Sequence, residues 1–219
     1  MKKIAIAFSL FLTATAAFAQ AKGTQNDPQA KKVLDAVSAK FKTFTTVQAG
    51  FTYKIENASG KALSSKTGTL SMKGQKYRVS LGGMEIFSDG KTVWNYDKSS
   101  NEVTISNLDA SAATLTPQKL FTNFYDKDFY SVLNGEKKQG AKTIQEIEMT
   151  PVDKSKAFHK VYLYVDKGTQ TISSSKVLQS DGNRYSYSVS NMKTNTTIAD
   201  TQFTFNKASY PGVEVIDLR

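Results

Sequence analysis

The sequence has no cysteine and a single histidine among its 219 residues. Without cysteine the chain can form no disulfide and can offer no thiol nucleophile or thiolate metal ligand. A zinc site needs several converging ligands, so the lone His159 argues against a metal centre. Because His159 lies in a run of alternating polar and apolar residues, we expect an ordinary strand histidine with no role in a site.

Catalytic motifs are lacking as well. The sequence contains no Gly-x-Ser-x-Gly nucleophile elbow, no phosphate-binding glycine loop and no dinucleotide fingerprint. Glu146 and Glu148 share one face of a predicted strand, and paired carboxylates can hydrolyse glycosides, but two glutamates on a solvent-facing strand are far more common. The sequence therefore predicts a protein that is not an enzyme, with no catalytic residue, no cofactor and no metal.

One apolar run stands at the start of the chain, and no later run approaches the roughly 20 residues that a membrane-spanning helix needs. Lys2 and Lys3 precede an apolar stretch, Ile4 to Leu12, and Ala17-Phe18-Ala19 supplies the small residues of a cleavage site. This pattern is typical of a secretory signal peptide, and an uncleaved anchor is the alternative. We predict cleavage after Ala19 and export to the periplasm of a Gram-negative bacterium.

Cleavage would leave a single domain, residues 20–219, that begins at Gln20. A bacterial lipoprotein needs a cysteine there to carry its acyl chains, so we expect the mature protein to be soluble and free of lipid. Removing the signal peptide leaves 27 basic and 19 acidic side chains, a net charge of +8. The basic residues are scattered, which indicates a solvated surface; weak steering toward an anionic membrane or an acidic partner is the alternative. We expect no nucleic-acid partner.

The apolar pattern predicts one helix followed by many strands. Asp27-Pro28 provides an N-cap and a proline at the first helical position, and apolar residues then recur at helical spacing to about residue 42. From Val47 onward the period changes to two. Strands are predicted near residues 47–55, 65–73, 77–81, 84–88, 93–96, 102–106, 143–149, 159–165, 171–179, 184–190 and 198–205. Such a series, with turns such as Asp89-Gly90, predicts one large antiparallel sheet or barrel.

Residues 107–135 interrupt this alternation. Thr116-Pro117 resembles a second helix start, and it is followed by a short, aromatic-rich helical face formed by Leu120, Phe121, Phe124 and Tyr125. Two short helices against a curved sheet could leave an apolar ligand pocket, or they could fill the interior as an ordinary core. Periodicity alone does not distinguish these two arrangements.

The run Asp89-Gly90-Lys91-Thr92-Val93-Trp94-Asn95-Tyr96 is similar to the Asp-Gly-Lys-x-hydrophobic-Trp-x-Tyr hairpin of the LolA family of periplasmic outer-membrane lipoprotein carriers. Further similarities, in the order of the family, lie at Gly68–Lys73, Tyr77-Arg78, Phe203–Phe205 and Pro211–Val215, and at the first helix with Phe41, Phe44 and Phe51. Many members carry an Arg-Pro pair after the second strand, whose arginine is implicated in holding a lid. This chain has Lys73-Gly74-Gln75 at that place, so Lys73 or Arg78 would have to substitute.

The resemblance implies a mostly β (α+β) fold, an unclosed antiparallel β-barrel of about eleven strands with a helical lid over an apolar cavity. It implies a soluble, monomeric periplasmic chaperone that binds the acyl chains of lipoproteins released from the inner membrane and delivers them to the outer membrane. Its partners would be acylated lipoproteins as cargo, an inner-membrane lipoprotein-releasing transporter and an outer-membrane acceptor, with transient membrane proximity only. The alternative is a lipid- or lipoprotein-sensing regulatory module with the same half-barrel. A hydrolase of fatty substrates would need a nucleophile–base pair that the sequence lacks.

Strand alternation and the resemblance together suggest the lining of the cavity. The sheet side would consist of Phe51, Tyr53, Leu70, Met72, Tyr77, Val79, Leu81, Trp94 and Tyr96, and the lid side of Val33, Leu34, Val37, Leu120, Phe121 and Phe124. The candidate lid latch is Lys73 or Arg78. A plain core role is an equal alternative for Tyr77, Val79 and Leu81. The alternation puts Trp94 and Tyr96 on one face but leaves open which face that is.

Overall fold

The computed structural model describes residues 26–108 and 128–219. The predicted signal peptide, its cleavage site and Gln20 lie outside these ranges. So do the predicted second helix and the proposed lid residues Leu120, Phe121 and Phe124. The described residues form one α-helix, twelve β-strands and two short 3₁₀ helices.

The helix α1 extends from Pro28 to Lys42, as the sequence predicts. Asp27 is its N-cap, and the Asp27 carboxylate accepts a hydrogen bond from the Gln29 backbone N–H at 2.8 Å. Thr43 is the C-cap of the helix, and its backbone N–H donates to the Lys40 carbonyl. Among the described residues no helix is long and apolar enough to cross a membrane.

Twelve strands, β1 to β12 in chain order, form a single sheet. Their bounds are Thr46–Glu56, Ala62–Lys73, Lys76–Leu81, Met84–Ser88, Thr92–Asp97, Glu102–Asn107, Phe129–Gln139, Lys142–Pro151, Phe158–Asp166, Thr171–Gln179, Arg184–Thr194 and Glu214–Asp217. Their order across the sheet is β12-β6-β5-β4-β3-β2-β1-β11-β10-β9-β8-β7. Apart from the parallel pair β12 and β6, the sheet is antiparallel, and β7 and β12 are its two edges. The predicted mostly β, unclosed antiparallel fold is confirmed.

Three details of the strand prediction need correction. β7 lies partly in the predicted insertion, and its alternation is hidden by a bulge near Gly135 and by the charged residues that follow it. The predicted strand at 198–205 is wrong, since this segment contains a 3₁₀ helix at Asp200–Phe203. The strand β12 was not expected, because four residues are too few to show a period.

The pairing register gives the sheet two distinct faces. The helix α1 packs against β7 and β10, and we call the face that it contacts the helix face. The opposite side is the far face. Since side chains alternate along a strand and cross-strand partners share a face, the register assigns every strand residue to one side or the other.

A hydrophobic core fills the space between α1 and the part of the helix face formed by β7 to β10. Its buried members are Ala30, Leu34, Val37, Phe129, Ile147, Met149, Leu163 and Val165. Beside Val37 and Ile172 the described residues leave a cavity of about 10 Å³, which is near the lower limit for one water molecule. This part of the helix face is therefore occupied by the protein itself.

We expect Ile147→Ala to lower the free energy of unfolding by about 2–5 kcal/mol, because Ile147 is fully buried beneath α1 and its truncation leaves a cavity. The control is Leu63→Ala, since Leu63 is 57% exposed and its truncation should change the stability by about 0.5 kcal/mol or less. Urea denaturation measures both values. Equal losses in the two variants would contradict a core beneath the helix.

Candidate functional site

The central strands carry most of the residues that the sequence assigns to the sheet side of a cavity. Phe51 pairs with Gly68, Leu70 with Val79, and Met72 with Tyr77, so the side chains of these residues share one face. The predicted residues found together on the helix face are Phe51, Tyr53, Leu70, Met72, Tyr77, Val79 and Leu81. The alternation of the sequence thus defines a continuous, largely apolar surface across β1, β2 and β3.

One end of this surface is closed. Val47, Met72 and Tyr77 are at most 5% exposed and form a buried cluster. Phe41 and Phe44, from the end of α1 and just beyond it, pack against the cluster, and their rings meet edge to face at 6.0 Å. Met72 and Tyr77 therefore act as core residues at the end of the face where β1 begins.

Phe51 owes its position to the glycine across from it. A Cβ atom on Gly68 would lie 2.6 Å from the Phe51 ring and would also collide with the backbone oxygen of Ser80. The missing side chain lets the Phe51 ring pack directly on β2. The ring also covers the backbone of the glycine, which has no side chain of its own to shield it from solvent.

Three tyrosines stack at the other end of the surface. The Tyr53 ring centroid lies 4.9 Å from that of Tyr187 and 6.0 Å from that of Tyr185. Tyr187 is 41% exposed, but the part of its ring that packs against its neighbours loses water; this desolvation raises the pKa of Tyr187 to about 12, and the phenols of Tyr53 and Tyr185 add to the shift. The hydroxyl of Tyr187 is therefore uncharged throughout the physiological pH range.

Sequence reasoning missed several members of this surface. Those that the register adds to the helix face are Ile55, Met84, Ile86, Tyr185, Tyr187 and Val189. A signal was present in the alternation of Tyr185, Tyr187 and Val189 along β11. It could not be used, because nothing in the sequence says that β11 lies beside β1, which is more than a hundred residues earlier.

Trp94 and Tyr96 lie on the far face, which corrects their assignment to the cavity. Trp94 pairs with Phe87, and Tyr96 pairs with Glu85. On β4 the helix face carries Met84 and Ile86, and Ile86 pairs with Asn95, the residue between Trp94 and Tyr96. The turn between β4 and β5 sets this phase, and alternation within β5 alone does not reveal it.

Aromatic side chains of the C-terminal segment (residues 198–213) cover this part of the far face. The ring centroid of Tyr96 lies 4.5 Å from that of Tyr210 and 6.0 Å from that of Phe205. Tyr96 also belongs to a buried cluster with Val103 and Val213. Trp94 packs against the same cluster, so both predicted cavity residues have a structural role here.

The two candidate latch residues also face the C-terminal segment. Because the proposed lid residues lie outside the described part of the chain, a lid latch at Lys73 or Arg78 stays a prediction. The Lys73 Nζ atom lies 2.8 Å from Asp200 Oδ1. Arg78 forms an ion pair with Glu85, whose carboxylate also accepts a hydrogen bond from the Tyr210 hydroxyl at 3.4 Å. Both basic side chains point to the far face because they alternate with Met72, Tyr77 and Val79 along their strands.

The predicted lid-side residues divide into two groups. Val33, Leu34 and Val37 belong to the packed core between α1 and the sheet, so they do not face the central surface. Leu120, Phe121 and Phe124 lie outside the described residues, and their part in a lid stays a prediction.

The described residues offer no metal-binding cluster, and the two glutamates considered for catalysis belong to a surface network. No group of three or more His, Cys, Asp or Glu side chains is placed there to hold a metal ion. Glu146 and Glu148 share the far face, where Asn134 donates hydrogen bonds to both carboxylates. Lys160 Nζ lies 2.6 Å from Glu148. Partial burial raises the pKa of Glu148, but the hydrogen bonds from Lys160, Asn134 and Tyr162 and the charge of Lys160 together outweigh it and lower that pKa. This arrangement is an ordinary surface network.

The fold and the surface define a class of protein: an unclosed half-barrel that presents a partly exposed apolar face and suits the binding of an apolar ligand. Residues 42–206 match the family described as outer membrane lipoprotein carrier protein LolA. Because the match covers well over half of the chain, this chain belongs to the LolA family. Its members are periplasmic carriers that bind their cargo and do not act as enzymes.

Individual relatives are more distant. An outer-membrane lipoprotein carrier protein of Hahella chejuensis is 38% identical over 80 residues, a stretch that covers 34% of this chain and 38% of the relative. An uncharacterized conserved protein of Thermus thermophilus has a similar structure, with a TM-score of 0.60 and 16% identity over 86% of this chain and 99% of its own. The lipoprotein LppX of Mycobacterium tuberculosis gives a TM-score of 0.52 at 10% identity over 80% of this chain and 99% of its own. At these identities the two structures show a shared fold alone.

We expect acid to release the contact between Asp200 and the sheet. Hydrogen bonds from Lys73 and Lys76 lower the pKa of Asp200 to about 2, so this contact is fully present above the ordinary pKa near 3.8 and is lost as the pH falls toward 2. Trp94, the single tryptophan, borders the C-terminal segment and reports on it by fluorescence. Its emission should shift to longer wavelength between about pH 4 and 2, and Asp200→Asn should lack this component.

Asp35→Asn is the control for this titration. Asp35 pairs with Lys31 at 3.0 Å on the exposed side of α1, away from the C-terminal segment. This variant should keep the acid-dependent shift. Identical titrations in Asp200→Asn and the unaltered protein would contradict the role of Asp200.

Proposed function

We propose that this protein carries acylated lipoproteins across the periplasm, with their acyl chains held against the central part of the helix face. In this proposal residues 1–19 direct export and are removed after Ala19, and residues 20–219 act as one monomeric carrier domain. An inner-membrane lipoprotein-releasing transporter supplies the cargo, and an outer-membrane acceptor receives it. Membership of the LolA family supports this assignment.

The observation that carries the proposal is the incomplete burial of apolar side chains on the helix face. Phe51, Leu81 and Val189 are only partly buried, and Met84 is 50% exposed, although all four lie on one face of neighbouring strands. A contiguous apolar surface of this kind, which the described residues leave partly open, is typical of a ligand or interaction site. By contrast, the part of the same face beneath α1 is packed.

The chemistry of acyl chains matches this surface. Removing a methylene group from water is favourable by about 0.8 kcal/mol, so a carrier gains affinity from apolar contact area alone. An acyl chain offers no hydrogen-bonding group along its length, and the strands between the closed end and the tyrosines present almost none.

Leu81→Asn should weaken the binding of acyl chains by about tenfold, because a leucine in the proposed site loses roughly 1.5 kcal/mol of apolar contact. The matched control is Leu178→Asn, since Leu178 is also partly buried near the end of a strand but lies on the far face, opposite Lys160 and Arg184. Titration with a fluorescent fatty acid measures both affinities, and thermal melts check that the stabilities are comparable. Equal affinities would place the acyl chains elsewhere.

Depletion of the protein in its native cell tests the transport role. We expect lipoproteins of the outer membrane to accumulate in the inner membrane, which fractionation and immunoblotting would reveal. Mass spectrometry of protein purified gently from the periplasm should find acylated polypeptide in the bound material. Normal sorting after depletion, or a stable transmembrane partner in place of acylated cargo, would overturn the proposal and favour a sensing module.

A further inference from the structure

The helix face changes in accessibility from one end of the central strands to the other. At the end where β1 begins, Val47, Met72 and Tyr77 are almost completely buried beneath Phe41 and Phe44. At the opposite end, beside the Gly82-Gly83 turn, Met84 is 50% exposed, and Tyr187 is 41% exposed on β11. The surface therefore has a closed end and an open end.

Hydrogen-bond donors on the surface concentrate at the open end. Tyr53, Tyr185 and Tyr187 stack there, and their rings leave phenolic hydroxyl groups on an otherwise apolar face. Lys66 is the direct cross-strand partner of Tyr53 and is exposed. Its side chain passes over the turn, since its Cδ atom would lie 2.8 Å from a Cβ atom on Gly82. No carboxylate of the described residues forms an ion pair with Lys66.

We infer that the bound acyl chain has a fixed direction, with its methyl end toward the cluster of Met72 and Tyr77 and its carbonyl-bearing head at Tyr53, Tyr187 and Lys66. This inference rests on the proposed function and adds to it a direction and a means of recognising the head. The ligand enters and leaves through the open end, because the phenylalanines at the end of α1 block the other.

The donors at the open end select a head that accepts hydrogen bonds. Phenolic hydroxyl groups and an ammonium group donate to carbonyl oxygens, and a tyrosine keeps its proton at neutral pH because the ordinary pKa of a phenol is about 10. Carbonyl oxygens occur in the ester and amide groups at the acylated terminus of a lipoprotein and also in a free fatty acid. A methyl terminus offers no acceptor, and the reversed orientation would place a carbonyl head in the closed end, where the Tyr77 side chain is buried and already hydrogen-bonded to Ser88.

Single cysteines can measure this direction, since the chain contains none of its own. Met84→Cys places a fluorescent label at the open end, and Leu70→Cys places one on the same face nearer the closed end. Stearic acid with a doxyl quencher at carbon 5 or carbon 16 is then titrated into each labelled protein. We expect the carbon-5 probe to quench the label at residue 84 more strongly and the carbon-16 probe to quench the label at residue 70 more strongly.

The outcomes of this experiment separate the two proposals. Reversed or equal quenching at the two labels, with both probes bound, would overturn the direction and leave the acyl-chain site in place. If neither probe binds the unlabelled protein or the two labelled ones, the proposed function is overturned, and the direction with it.

Removal of the phenolic hydroxyl groups tests recognition of the head. The double change Tyr53→Phe and Tyr187→Phe keeps both rings, and it should weaken the binding of stearic acid and of a diacylated lipopeptide by about two- to tenfold per hydroxyl removed. The affinity for diphenylhexatriene, an apolar probe without a carbonyl group, should stay the same. Tyr130→Phe is the control, because Tyr130 lies on the far face of β7.

Comparison of the two ligands identifies the source of the carbonyl group. Loss of affinity for both stearic acid and the lipopeptide supports a head site that serves lipoprotein cargo. Loss for stearic acid alone would overturn recognition of the lipoprotein head and assign these hydroxyls to free fatty acids. Unchanged affinity for both would overturn a role of the hydroxyl groups.

Discussion

The register between β1 and its two neighbours decides which side chains a ligand can meet. Phe51 lies opposite Gly68 on one side and Val189 on the other, which directs Phe51, Tyr53 and Ile55 to the helix face. A slip of one residue would replace them with Thr52 and Lys54 and would turn the apolar residues outward. Gly68 helps to fix this register, because the space that its missing side chain leaves is occupied by the Phe51 ring.

Each face of the sheet receives its own cover, and the two covers come from opposite ends of the chain. On the helix face, α1 packs over β7 to β10 and completes a core around Ile147. On the far face, the C-terminal segment packs over Phe87, Tyr96 and Val103. The central part of the helix face can stay open to a ligand because these two packed regions supply apolar burial elsewhere.

The sequence predicted those features that depend on local patterns. The bounds of α1 followed from its cap, its first proline and its helical period, and the shared face of Phe51, Leu70 and Val79 followed from alternation and neighbouring turns. The face on which Trp94 lies depends on the phase that the turn between β4 and β5 sets, and alternation within β5 does not reveal it. The place of Tyr187 on the helix face depends on the pairing of β11 with β1, two strands far apart in the sequence, which no local pattern encodes. The segment at 198–205 was mistaken for a strand because it contains buried apolar residues, Ile198 and Phe203, whose burial comes from a 3₁₀ helix and its flanks instead of from strand alternation.

The closed end of the helix face is secured from both sides of the sheet. Met72 and Tyr77 pack under Phe41 on the helix face, while Lys73 and Lys76, their neighbours in sequence, hold Asp200 on the far face. The residues on either side of the tight turn between β2 and β3 thus contact both the buried cluster at the closed end and the C-terminal segment. In the function that we propose, an acyl chain would enter and leave at the opposite end of this face, where Tyr187 and Met84 meet solvent.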